Sequence, residues 1–161
     1  FIESMTISYH EYHKLDVSII RIFNTYGPRM KIDDGRVLPT FIDQASKNLD
    51  ITVNGDGNQT RSFCYVDDLV DGFIKSMDSN YAYPINIGND DEITINEIAS
   101  IIKILLKSNS KIIYNKLPED DPLKRRPDIS LAKKILKWNP NVSKEVGFKH
   151  LINYYRVNKL I

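Results

Sequence analysis

The run Val17-Ser18-Ile19-Ile20-Arg21-Ile22 constrains this chain more than any other segment. β-Branched side chains lose rotamer freedom in a helix and fit a pleated, half-buried surface. The run shows no alternation of polar and apolar residues, so it reads as a strand buried on both faces. Strands of that kind belong to parallel sheets covered by helices. Such a strand needs neighbours, which the chain is not expected to supply, and it therefore reads as a piece of a larger sheet. Residues 1–14 precede it as an amphipathic helix with Ile2, Met5, Tyr9 and Tyr12 near one face. No Ser, Thr, Asp or Asn stands before that helix to satisfy its first amides, so the sequence is expected to begin inside an element.

The rest of the chain alternates helix and strand patterns around irregular, charged loops. Helices are predicted over residues 37–47, 66–77, 94–107, 130–136 and 144–158. Strands are predicted over 51–53, 61–66, 84–88 and 111–114, and loops over 23–34 and 118–127. Thr94 and Glu97 have capping-box spacing, in which each side chain bonds the other's backbone amide. Gly55-Asp56-Gly57 marks a turn. The fold class is α/β, and residues 1–161 are read as one unit.

The chain has 161 residues, enough for one hydrophobic core. Its 22 Lys+Arg and 21 Asp+Glu leave a net charge of +1, which gives no broad field to draw nucleic acid or an anionic membrane. An anion site must therefore be built from a few converging cations. No apolar run approaches the ~20 residues needed to span a bilayer. Cys64 is the only cysteine, which excludes an internal disulfide and fits a reducing, cytoplasmic location. In its apolar-aromatic strand it reads as a packed thiol. His10, His13 and His150 have no metal-ligand spacing with it, and no metal is expected.

Three loops carry arginines. The first holds Asn24, Tyr26, Arg29 and Arg36, the second is Gly55-Asp56-Gly57-Asn58-Gln59-Thr60-Arg61, and the third runs from Asp120 to Asp128 through Arg125 and Arg126. A guanidinium fork can hold two phosphate oxygens at once, so arginines from separate loops can clamp a diphosphate. Exposed ion pairs with the neighbouring aspartates would produce the same composition and contribute little. From the residues alone, both readings stand.

The order of motifs adds a resemblance. Arg21-Ile22-Phe23-Asn24-Thr25-Tyr26-Gly27-Pro28-Arg29-Met30 is followed by Asp34-Gly35-Arg36-Val37 and by Gly55-Asp56-Gly57-x-Gln59-Thr60-Arg61-Ser62-Phe63-x-Tyr65-Val66-x-Asp68-Leu69-Val70. Asn86-Ile87-Gly88-Asn89, Asp120-Asp121-Pro122-x-x-Arg125-x-Pro127-Asp128-Ile129 and Leu136-x-Trp138-x-Pro140 complete the series. Together they resemble the C-terminal half of the extended short-chain dehydrogenases, NAD-dependent epimerases and dehydratases, and most closely the UDP-glucuronate decarboxylase branch. The alternatives are a dTDP-glucose 4,6-dehydratase, a UDP-sugar 4-epimerase, or a non-catalytic nucleotide-sugar-binding module.

The resemblance implies the last part of a Rossmann-type NAD(P)-binding fold with its small substrate-binding subdomain. It implies UDP-glucuronate as substrate, NAD as cofactor and a homodimer for the whole enzyme, formed partly by the helix carrying Tyr9, Tyr12 and His13. NAD would oxidise the sugar at C4, the resulting keto acid would lose CO2, and the returned hydride would give UDP-xylose. Asn24 matches a residue on the sugar-diphosphate region, and Gly35, Arg36 and Val37 a segment wrapping the nucleotide sugar. Thr52 lies in the part near the uracil, and Arg61 matches the arginine on the diphosphate. Thr25 and Arg29 match the cofactor side. Arg125 matches an arginine near the sugar with an assisting catalytic role, and Asp128 would hold its loop. Asn54 stands where relatives carry an aromatic residue, and Lys137 where they carry glycine.

Two family features are absent from the sequence. None of the 7 glycines has Gly-rich NAD-loop spacing. Tyr155-x-x-x-Lys159 has the spacing of the catalytic tyrosine and lysine, but lies in the last helix and out of context. The chain alone is therefore expected to be inactive.

Overall fold

The computed structural model describes residues 1–119 and 122–161, so the Asp120-Asp121 part of the third loop lies outside the described residues. The first strand is shorter than predicted. β1 (Ile20–Ile22) pairs in parallel with β6 (Ile85–Ile87), with Ile20 opposite Ile85 and Ile22 opposite Ile87. The chain thus does supply one neighbour, contrary to expectation, but among the described residues no strand lies on the other side. Nor is β1 buried on both faces, because Ile22 is 56% exposed. The helix before it, α1 (Ile2–His13), has no buried residue, so its apolar face covers nothing among the described residues. Arg21 Nε donates to Glu3 Oε1 at 2.7 Å and ties that helix to β1.

The strand predicted over residues 61–66 is split in two. β4 (Thr60–Ser62) is the centre of a three-stranded sheet, antiparallel to β7 (Glu92–Thr94) and parallel to β9 (Lys124–Arg125). β5 (Cys64–Tyr65) pairs instead with β2 (Thr25–Tyr26), and α3 (Val66–Met77) begins at the next residue. Elements as short as β2, β7 and β9 carry no periodicity of their own. Their pairing is decided by tertiary contact, which is why the sequence pattern reads β2 and β9 as loop and assigns no strand at β7. β3 (Ile51–Asn54) pairs in parallel with β8 (Ile112–Asn115).

The helices follow local chemistry more closely. α4 (Ile95–Leu106) opens on the capping box, with Glu97 N donating to Thr94 Oγ1 at 3.1 Å and Thr94 N to Glu97 Oε2 at 2.8 Å. α2 (Val37–Ser46) and α6 (Lys144–Val157) pack with α4 and β3 around one apolar cluster that includes Phe41, Ile42, Ile98, Phe148 and Tyr155. A second cluster, with Cys64, Leu69, Ile85, Ile87 and Trp138, joins α3, β6 and α5 (Ser130–Ile135). Lys137 follows α5 with φ of 50°, the left-handed region that glycine enters at least cost.

Candidate functional site

Alternation along β3 sends Ile51 and Val53 into the first cluster and leaves Thr52 and Asn54 on the other face, where both line a cavity of about 570 Å3. Thr52 is fixed there by Gln44 of α2, whose side-chain amide donates to Thr52 Oγ1 at 2.8 Å and accepts from Thr52 N at 3.0 Å. The turn after β3 has Gly55 and Gly57 at φ of 74° and 75°. A Cβ on Gly57 would fall 2.1 Å from Asn96 Oδ1, so any other residue there would add a displaced Asn96 amide to the strain of the positive φ. The turn delivers Gln59 and Arg61 to the same cavity, where Gln59 is buried and donates to the Asn54 carbonyl.

The N-terminus of α2 forms another wall through Gly35, Arg36, Val37 and Leu38. Arg36 is its N-cap residue and gives no side-chain cap. The first amides of a helix have no intrahelical acceptor and carry partial positive charge. Asn24 and Thr25 close the cavity from β2 and the loop before it, and Thr25 Oγ1 donates to the Phe23 carbonyl at 2.8 Å. Seven residues singled out in the sequence therefore meet at one cavity: Asn24, Thr25, Gly35, Arg36, Val37, Thr52 and Arg61.

Two others do not line it. Arg29 is exposed, with φ of 71°. Arg125 lies on β9 in direct register with Arg61. Its neighbours Lys124 and Arg126 both approach Glu92, at 3.6 Å and 3.8 Å. Alternation then puts Arg125 on the opposite face, shared with Arg61. Asp128 Oδ1 accepts from Ser130 N at 2.9 Å at the start of α5. The sequence reading missed the apolar walls, among them Met30, Phe41, Phe63 and Ile95. A signal existed for two of them: Phe41 lies one helical turn after Val37, and Phe63 lies two residues after Arg61.

The electrostatics separate site groups from packed groups. Burial alone would raise the Asp34 carboxyl, but the side-chain and backbone N–H groups of Arg36 hold it below the ordinary carboxylate range. Burial pushes the Cys64 thiol up to about 12, with the Asp68 charge adding to it. Tyr26, packed edge-on against Phe63, Tyr65 and Phe148, is also raised, chiefly by burial. Tyr155 is pushed up to about 12, first by burial and then by Asp34. Burial of that hydroxyl disfavours the phenolate that a tyrosine base requires.

These raised groups predict an alkaline limit. A group whose pKa is raised on folding gives stability that is present below its unfolded pKa and lost as pH rises through the folded value. For Cys64 the window runs from 9.0 to about 12. The urea midpoint is expected to fall across that window, and iodoacetamide should label Cys64 only once the chain unfolds. Labelling of the native chain at the rate seen in urea would contradict this.

A profile of the NAD dependent epimerase/dehydratase family matches residues 1–88. The chain belongs to this family. It is 46% identical over 155 residues to UDP-glucuronic acid decarboxylase 3 of Arabidopsis thaliana, covering 96% of this chain and 45% of that protein. To UDP-glucuronic acid decarboxylase 1 of Danio rerio it is 46% identical over 153 residues, covering 95% of this chain and 37% of that protein. The chain thus spans less than half the length of the curated relatives it matches. Among solved structures, UDP-glucose 4-epimerase from Thermotoga maritima with UDP-glucose aligns with a TM-score of 0.92 at 26% identity, over 98% of this chain and 51% of that one. UDP-glucuronic acid 4-epimerase from Bacillus cereus, in complex with UDP-glucuronic acid and NAD, aligns with a TM-score of 0.85 at 28% identity, over 99% of this chain and 50% of that one. The α/β fold is therefore that of the family. No helix among the described residues is long and apolar enough to cross a membrane.

Proposed function

We propose that residues 1–161 form the nucleotide-sugar-gripping, C-terminal portion of an NAD-dependent UDP-glucuronate decarboxylase, which converts UDP-glucuronate to UDP-xylose and CO2. The observation that supports this reading most is the convergence of Arg36, Arg61 and the start of α2 on one cavity of about 570 Å3. That volume is within the usual range for small-molecule sites. Two arginines and free helix amides suit a diphosphate. Thr52, Asn54 and Gln59 offer neutral hydrogen-bonding groups to a base, and Phe41 and Phe63 offer apolar surface. Asn24 would reach the sugar-diphosphate region. Arg125, in register with Arg61, would approach the sugar and assist proton delivery.

The residues present fit one end of NAD. Thr25 is at the cavity with its hydroxyl proton given to Phe23, which leaves oxygen lone pairs to accept from an amide such as that of nicotinamide. Arg29 lies outside this cavity and keeps its proposed place on the cofactor side, most of which the rest of the enzyme would supply. When bound, NAD supplies reversible hydride transfer at the sugar. Without a tyrosine base of its own, the chain binds and does not turn over. A homodimer through the exposed face of α1 and a cytoplasmic location, in keeping with the reduced Cys64, belong to the same proposal.

Calorimetry of the chain with UDP tests the grip: measurable 1:1 binding is expected, and none would end this reading. A chimera joining the chain to the remaining part of a full-length relative tests the branch. It should release CO2 from UDP-glucuronate, and dehydration of dTDP-glucose in its place would move the chain to another branch of the family.

A further inference from the structure

Arg36 lines the cavity, yet its guanidinium is committed to Asp34, which does not line it. The Asp34 carboxylate accepts from the Arg36 backbone amide at 2.9 Å and from Arg36 Nε at 2.6 Å, and it pairs with a terminal guanidinium nitrogen as well. Gly35, between them, takes φ of 78° and folds the two side chains together. A carboxylate offers a guanidinium the same pair of oxygens that a phosphate offers. Here Nε and one terminal nitrogen of Arg36 both meet a single Asp34 oxygen, so that edge of the guanidinium is closed to a phosphate while the pair holds.

We infer that Asp34 is a positioning residue that holds Arg36 in place of the ligand's phosphate, and that Arg36 exchanges Asp34 for the diphosphate when a nucleoside diphosphate binds. Asp34 thereby lowers the affinity of the site and reserves Arg36 for ligands that carry phosphate. This rests on the diphosphate reading given above. Two observations favour exchange over a fixed pair. The Arg36 side chain is 62% exposed, so leaving Asp34 exposes little that is not already solvated. Asp34, 16% exposed, is not left without a partner, because it keeps the Arg36 backbone amide at 2.9 Å.

The test is calorimetry of UDP and uridine with the unaltered chain, Asp34→Asn, Arg36→Ala and the double variant, each checked for folding by circular dichroism. Asp34→Asn keeps an oxygen for the Arg36 amide and removes the competing charge. UDP should bind it about five-fold more tightly, the scale set by an exposed ion pair. Arg36→Ala should weaken UDP, and the double variant should match Arg36→Ala alone, because Asp34 acts only through Arg36. Uridine should bind all four alike. UDP binding that is unchanged or weaker in Asp34→Asn would overturn the exchange while leaving the diphosphate site in place. Failure of UDP to bind the unaltered chain would overturn both readings together.

Discussion

Replacing Arg61 by alanine is expected to weaken UDP binding by roughly 10- to 100-fold while leaving uridine binding nearly unchanged. The expectation follows from where the strand holds the residue. β4 is paired on both sides, with Ile93 opposite Arg61 on one edge and Arg125 on the other. Its backbone is therefore set by two neighbours, and removing the side chain should leave the strand intact. The guanidinium also donates to the Thr60 carbonyl at 2.8 Å, which orients it from its base. Arg61→Lys should recover only part of the affinity, because a point charge cannot present the planar fork. Equal loss of uridine and UDP binding would mean that Arg61 shapes the cavity and does not meet phosphate.

Trp138→Ala should cost about 3–5 kcal/mol of stability, the range for emptying a large aromatic site in a core. Trp138 is 1% exposed and donates Nε1–H to the Asp68 carbonyl at 3.0 Å. The Asp68 carboxylate in turn accepts from Val142 N at 3.0 Å, so one tryptophan and one aspartate tie α3 to the segment entering α6. The fit is close on the other side too: a Cβ on Gly72 would come within 3.2 Å of the indole. Trp138→Phe, which keeps most of the ring volume and loses the N–H, should cost less. Urea denaturation followed by circular dichroism measures both, and a loss below about 1 kcal/mol for the alanine variant would show that the second cluster collapses around the gap.

The elements that were legible in the sequence are those whose causes are local. The capping box of α4 needs only Thr94 and Glu97, and the apolar spacing of α2 and α3 needs only the helix period. The split between β4 and β5 was not legible, because Ser62 and Cys64 look alike in pattern and differ in partner. One side of the break pairs with β7 and β9, the other with β2. For α1 the limit is related: periodicity shows which residues share a face, not what covers it. At the site, the polar residues could be found because they sit in long loop motifs. Phe41 and Phe63 could not be separated from core by their chemistry, since each also packs in the first cluster. Loop membership alone does not place Arg29, which sits at positive φ outside the cavity.

The single pairing of β1 has a consequence for handling the chain. Its second edge carries backbone donors and acceptors that no described strand satisfies, beside an Ile22 that is 56% exposed. An edge of that kind recruits another edge, so residues 1–161 taken by themselves have a route to self-association that requires no unfolding. Solubility should then be limited by concentration well below the temperature of denaturation, with Arg21 the main charge guarding the strand. Arg21 is itself paired with Glu3, so added salt weakens both the guard and its tether. Titrations with ligand are best read against a measured competent fraction, because precipitation of this origin removes folded molecules.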